Sequence, residues 1–235
     1  MSDLMLKGFK TFHSYSNLKQ LLGNEKIKLL KSNPKFADIE NLKVVDSFVF
    51  QGKRENKENS FKKGKGIVLT NITKDIVVRV IQDNTNNKTV VSALSLEKVN
   101  DEDFVKAYEI DQNNQLYEVY SKKLTPELKD EFESNFIPVF QEEKTVYDDE
   151  IVVQDWLTDG CLPGGYLWCG KGCSNFTDRG GDGSVINSTD SCCKSHDYCY
   201  RYNWDTVDGC DDQLCACAQG KSTTAAFFIR LWFCD

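Results

Sequence analysis

The first 160 residues of this 235-residue chain contain no cysteine, and all ten cysteines fall between Cys161 and Cys234. Whatever stabilises the long first part must be non-covalent, whereas the last part has the density of a disulfide scaffold. Glutamate is absent after Glu150, so the change in chemistry along the chain is abrupt. Histidine is nearly absent, with only His13 and His196. Any histidine chemistry in the cysteine-rich part therefore runs through His196. No apolar run is long enough to span a bilayer, and residues 1–23 lack an apolar core of seven residues. Neither a transmembrane segment nor an ordinary secretory signal is expected. No internal repeat is present.

The net charge is −7, of which residues 151–235 carry −5 and residues 1–150 carry −2. An acidic cysteine-rich domain lacks the cationic surface that phosphate binding needs, so nucleic acid is excluded as its partner. For the same reason such a domain gains little from electrostatic attraction to anionic lipid, and membrane affinity is expected to come mainly from apolar and aromatic side chains. Disulfides persist in oxidising compartments. This predicts a secreted mature domain with no export route visible in the sequence.

The composition divides the chain into residues 1–150 and 151–235, with residues 137–157 as connection and the acidic patch Tyr147–Glu150 as candidate linker. In the first part, residues 16–32 suit a helix capped by Ser16 or Asn17. Residues 53–66 read as a charged, solvated loop. Six β-like runs cover residues 43–50, 66–72, 75–82, 88–96, 104–110 and 115–121, separated by Asn- and Asp-rich turns. Short spacing favours antiparallel hairpins over crossovers. Residues 125–136 read as a helix capped by Thr125 with Pro126 in its first turn. The expected fold is α+β with an antiparallel sheet, followed by a small, mainly α, disulfide-rich domain. His13 is expected to be structural or at the surface. Nothing in residues 1–150 resembles a catalytic constellation, and a prodomain, inhibitory or targeting role is expected there.

In the cysteine-rich part, residues 188–202 (STDSCCKSHDYCYRY) predict a helix. On it His196 and Tyr200, four apart, share a face. Residues 203–209 read as a turn. A second helix is expected to begin near 208–211 and run back towards Ala225. Such an antiparallel pair returns the chain to the height of His196 at Asp211. A carboxylate there would fix the imidazole tautomer and stabilise its protonated form. Ser195 points elsewhere on the helix, so water is the natural nucleophile with His196 as general base. Asp197 is a hard oxygen ligand. Together with carbonyls from the glycine-punctuated run Leu167-Trp168-Cys169-Gly170-Lys171-Gly172-Cys173 it suits Ca²⁺. A zinc site built from His196 and cysteines is the competing metal reading.

The segment from Pro163 to Gly172 resembles the calcium loop of secreted phospholipase A2. The stretch from Thr189 to Cys199 resembles that family's Cys-Cys-x-x-His-Asp-x-Cys helix. The Leu-Trp-Cys-Gly loop and the Asp-x-Cys-Cys lead-in are closest to the bee-venom-like branch, and the run from Cys210 to Cys217 is similar to its second helix. The resemblance covers roughly residues 160–220. It implies that His196 activates water, that Asp211 orients His196 and that Tyr200 supports Asp211. It also implies that Asp197 and the carbonyls of Trp168, Gly170 and Gly172 hold Ca²⁺, and that the Gly170 N–H helps stabilise the oxyanion. The implied disulfides are Cys169–Cys193, Cys192–Cys217 and Cys199–Cys210. Cys161, Cys173, Cys215 and Cys234 are left with three pairings.

The interval from His196 to Asp211 is shorter than in the animal enzymes, which implies loss of the β-wing and leaves Asp212 as a competitor of Asp211. The expected activity is calcium-dependent hydrolysis of the sn-2 ester of glycerophospholipids at a membrane or micelle interface. The alternative is a non-catalytic, membrane-active toxin or antimicrobial module on the same scaffold. The apolar tail Ala225–Phe233 is expected to be a packed core or dimer segment, with an interfacial membrane patch as its alternative.

Overall fold

The computed structural model describes residues 4–10, 23–54, 58, 61–86, 88–110, 114–137, 161–162, 166–170, 173, 183–221 and 223–234, the first seven by backbone only. His13, the linker around Tyr147–Glu150 and Gly172 lie outside the described residues. The chain divides into two compact units. A sheet unit comprises Phe9–Val49 and Lys63–Ile151, and a helical unit comprises Met1–Gly8, Phe50–Lys62 and Val152–Asp235. The chain changes unit at Ile151–Val152, and the helical unit also takes two short pieces from the first 62 residues.

The strands are β1 (Leu4–Lys10), β2 (Lys43–Arg54), β3 (Lys62–Thr70), β4 (Ile76–Asp83), β5 (Lys88–Val99), β6 (Glu102–Ile110) and β7 (Leu116–Lys123), and they lie in sequential order in one sheet. The last four pairings are antiparallel, with Ile67 opposite Val80, Val80 opposite Val91 and Ala93 opposite Tyr108. Sequential hairpins are what short, turn-forming separators permit. A register shift at Ala107/Tyr108 bulges β6 against β7.

Helix α1 (Glu25–Lys31) begins at Asn24, whose side chain accepts the Lys26 N–H at 2.9 Å. The expected cap at Ser16 or Asn17 lies outside the described residues, and Asn24 takes the capping role because its backbone is extended there. Ile27 and Leu30 of α1 join Phe36, Ile67, Leu69, Val78 and Val80 in one apolar core. Helix α2 (Pro126–Glu133) has the predicted Thr125 cap, which accepts the Leu128 N–H at 3.2 Å, and a 3-10 turn (Ser134–Phe136) completes its span. On Arg79 of β4, one face away from Val78 and Val80, the guanidinium donates to Asn135 in that turn.

The ends of residues 53–66, expected to be a charged loop, are strand. β2 continues through Arg54 and β3 starts at Lys62. Strand pairing and burial override a charge run when the side chains find partners, and Arg54 is 4% exposed.

The helical unit contains α3 (Ser188–Tyr202), α4 (Val207–Gln219) and α5 (Thr224–Phe233). The second predicted helix is thus two. α4 stops at Gly220, and α5 restarts with Thr223 accepting the Ala226 N–H at 3.1 Å. Eight of the ten residues of α5 are buried, so the tail is packed core within this unit. All ten cysteines are paired: Cys161–Cys173, Cys169–Cys193, Cys192–Cys217, Cys199–Cys210 and Cys215–Cys234. The first and last of these settle the four cysteines whose pairing the sequence left open. Among the described residues no helix is long and apolar enough to cross a membrane.

Candidate active site

α3 begins where Asn187 accepts the Asp190 N–H at 3.0 Å, and it ends at Asn203, whose φ of 50° is left-handed. That cap turns the chain towards α4, whose own cap is Thr206. Gly209 sits in the first turn of α4, where a Cβ would stand 2.4 Å from the Asp205 carboxyl carbon and would displace that exposed side chain. Cys199–Cys210 joins the helices beside the turn, and Cys192–Cys217 joins them at the far end. The antiparallel pair is therefore clamped on both sides of the level where His196 meets Asp211.

At that level His196 Nε2 lies 3.0 Å from Asp211 Oδ1, and Tyr200 Oη donates to the same oxygen at 2.6 Å. His196 is 2% exposed and Asp211 5%. The imidazole packs at 4.3 Å on the Tyr200 ring and at 5.5 Å, edge on, against Phe233 of α5. Nε2 faces the carboxylate, which places Nδ1 on the other side of the ring. Asp212, the competitor, is exposed, and so is Ser195. A third group reaches Asp211 that sequence reasoning missed: Arg54, which also counts with the helical unit, donates through Nη2 to Asp211 Oδ2. Burial raises the pKa of Asp211, but hydrogen bonds from His196, Tyr200 and Arg54, with the charge of Arg54, outweigh it and leave it below the ordinary carboxylate value.

The loop bearing Trp168 and Gly170 is fastened along one side of α3. Asp190, fully buried, accepts the N–H groups of Leu167 at 3.1 Å and Trp168 at 2.8 Å. Cys169 is bonded to Cys193. The Trp168 ring meets Tyr198 at 5.6 Å and lies under Lys194 Nζ at 4.7 Å. Asp197 follows Cys193 by one helical turn and so shares its face. It is 1% exposed. Gly170 has φ 115°, a conformation open to glycine, and its carbonyl accepts the Cys173 N–H at 3.2 Å through one of two lone pairs.

With the Asp190 carboxylate taken up by the N–H groups of Leu167, Trp168 and Ile186, the described loop and helix offer the Asp197 carboxylate and backbone carbonyls. Such an all-oxygen set fits Ca²⁺. The zinc alternative loses its thiolates, because every cysteine is in a disulfide. Among the described residues no cluster of three His, Cys, Asp or Glu side chains could hold a metal.

An open groove of about 780 Å³ in the sheet unit is lined by Thr73, Leu96, Lys129, Phe132 and Phe136 among others, with no histidine or cysteine in its walls. No family model, curated protein or solved structure matches this chain.

Proposed function

We propose that the helical unit hydrolyses the sn-2 ester of glycerophospholipids, releasing a fatty acid and a lysophospholipid, as a secreted, calcium-dependent phospholipase A2. The observation that carries this reading is the buried contact of His196 Nε2 with Asp211 Oδ1 at 3.0 Å, with Tyr200 on the same carboxylate oxygen. Asp211 and Tyr200 hold the imidazole so that Nδ1 faces the substrate. A water oxygen attacks the ester carbonyl carbon while His196 Nδ1 takes its proton. The carbon–oxygen bond to glycerol then breaks, and His196 returns the proton to the departing alkoxide. Asp211 stays ionised throughout and stabilises the transient imidazolium. Asp197 with the carbonyls of Trp168, Gly170 and Gly172 would hold Ca²⁺, which supplies positive charge for the developing oxyanion. The Gly170 N–H is the second donor to that oxygen.

Five disulfides in one unit fit an oxidising compartment and hence secretion. Fatty-acid release from phospholipid vesicles, with and without EGTA, tests the proposal. His196→Ala is expected to reduce release by about 10²–10⁴-fold. Equal release by parent and variant rules the mechanism out. Vesicle leakage without lysolipid, unchanged by His196→Gln, would assign the unit instead to membrane-active modules without turnover.

A further inference from the structure

We propose that Arg54 is a positioning residue of the His196–Asp211 pair, and that residues 161–235 without Phe50–Lys62 are an incomplete hydrolase. The inference rests on the reading of that pair as the proton-transfer site. The first part of the chain then supplies a working piece of the site and is not a prodomain to be shed.

A carboxylate that orients an imidazole has to be oriented itself. Both oxygens of Asp211 are engaged. His196 and Tyr200 meet Oδ1 at 3.0 and 2.6 Å, and Oδ2 accepts from Arg54 Nη2. Arg54 is 4% exposed and Asp211 5%, so solvent offers Oδ2 little in exchange. An unsatisfied buried acceptor is unfavourable, and turning the carboxylate to relieve it carries Oδ1 off the imidazole. Arg54 is itself fixed. Its guanidinium lies 4.3 Å from the Phe233 ring centre, and the same ring meets His196 edge on at 5.5 Å. Arg54 and His196 are thus held by the same two groups, Asp211 and Phe233. Arg54 touches no reacting atom and acts through Asp211.

The segment that delivers Arg54 is part of the packing of α5. Phe50, four residues earlier and therefore on the same face of β2, is fully buried and packs edge on against Phe228 at 5.3 Å and Trp232 at 5.9 Å. Those two rings are at most 1% exposed. Lys62 donates to the Leu231 carbonyl. Aromatic side chains carry the largest apolar areas, and their mutual packing is a main source of core stability. Residues 161–235 alone would strip Phe50 from two buried rings and leave Asp211 Oδ2 without Arg54. The five disulfides cross-link residues 161–234 only, so they do not replace these contacts. The working unit is therefore discontinuous in sequence, Phe50–Lys62 together with Val152–Asp235.

The test uses the full, oxidised chain at one fixed pH. Fatty-acid release from phosphatidylcholine vesicles in Ca²⁺ gives kcat and KM for the parent, Arg54→Met, Arg54→Gln and Arg54→Lys. Proton NMR follows the low-field resonance of the His196 N–H that faces Asp211, assigned by its loss in His196→Gln. Arg54→Met keeps the packing of the stem on Phe233 but donates nothing to Oδ2. It is expected to lower kcat about 10- to 100-fold with little change in KM, and to move the resonance. Arg54→Lys, which keeps a charged donor, is expected to recover most of the loss. Arg54→Gln, with a neutral donor, should fall between them and decides the matter if Arg54→Met does not fold. A role in packing alone predicts that Arg54→Met stays at the parent level. A specific protease site inserted between Lys144 and Glu150 is also cut in the folded protein. The two fragments are expected to elute together with release unchanged. Fragments that separate, or release that rises on cutting, overturn the shared unit and make residues 1–150 a removable inhibitor. An unmoved resonance overturns the positioning role, whether or not kcat falls, because Arg54 then does not act through Asp211. A resonance moved by Arg54→Met, with no lipid release from any form, upholds the positioning and rejects the phospholipase reading. Release that His196→Gln abolishes and that Arg54→Met and Arg54→Gln leave unchanged rejects the positioning and keeps the phospholipase reading.

Discussion

The sheet unit and the helical unit solve the same problem by opposite means. In the sheet unit a contiguous apolar cluster of Ile27, Leu30, Phe36, Leu69, Val78 and Val80 fills one face of a hydrogen-bonded ladder, and buried polar groups such as Asp46, Arg79, Asp83 and Glu131 stand apart from it without a covalent cross-link among the described residues. In the helical unit the buried set includes Thr189, Asp190, His196, Asp197, Asp211 and Thr223 beside the aromatics of α5. Burying so many polar groups is unfavourable unless each finds partners. Asp190 takes three backbone N–H groups, from Leu167, Trp168 and Ile186, and Thr189 meets Thr223 at 2.8 Å. Five disulfides hold that polar interior in register. The difference is that the helical unit adds cross-links to its hydrogen bonds, whereas the described sheet unit holds its buried polar groups by strand pairing and packing alone.

Reduction should break the comparison most completely. Each disulfide contributes about 2–4 kcal/mol, and a domain of this size has roughly 5–15 kcal/mol of net stability. Dithiothreitol is expected to melt α3, α4 and α5, and with them the proposed lipid hydrolysis, while the sheet amides keep their protection. Hydrogen exchange read by mass spectrometry separates the units. Loss of protection in β4 and β5 together with the helices would show that the two do not depend on different forces.

Much of the helical unit was legible in the sequence because its signals are local and periodic. The span of α3 was legible from the capping residues at its N-terminus, and helix geometry allowed the return from His196 to the height of Asp211 while leaving Asp212 as a competitor. Arg54 was illegible. It lies within a charge run that reads as solvated, and its partner is 157 residues away, a distance over which no periodicity operates. The split between α4 and α5 turned on Gly220 and Thr223, in the polar run from Gly220 to Thr224 that a single helix reaching Ala225 would have had to cross. In the sheet unit the strand interiors were legible from alternation and turn residues. The ends were not, because pairing extended β2 and β3 into the charged stretch.

Asp197→Asn sharpens the assignment of the oxygen ligands. Removing the one charged donor of the proposed Ca²⁺ set should weaken binding of the ion at least tenfold, since affinity in such sites follows ligand charge. Calorimetric Ca²⁺ titration of the full chain measures this without reference to activity. Identical isotherms for parent and variant would remove Asp197 from the site.

A smaller effect is expected in acid. The folded state holds the Asp211 carboxyl below its ordinary value. Its contribution to stability is therefore complete above the unfolded carboxyl pKa of about 4 and is lost as pH falls through the lower, folded value. The helical unit should lose stability in that acid window. Asp211→Asn should flatten the loss there, although it lowers stability at neutral pH by stranding Arg54. Urea midpoints of the helical CD signal between pH 2 and pH 6 give the slope, and an unchanged slope in the variant would contradict the ionisation.

Gly66→Ala should produce the smallest change, and in the other unit. Two effects compete in β3. Glycine weakens a strand by roughly 0.5–1 kcal/mol relative to alanine, which favours the substitution. An added Cβ, however, would stand 2.5 Å from two atoms of the Phe48 ring. Phe48 is fully buried, so the ring has no solvent into which to swing. Overpacking of this kind costs about 1–3 kcal/mol, more than the strand preference returns. The sheet unit should therefore unfold a few degrees lower. Lipid hydrolysis should stay at the parent level below that transition, because His196, Asp197 and Asp211 all belong to the helical unit. A higher melting temperature would mean that Phe48 yields and that this strand packs less tightly than its burial implies.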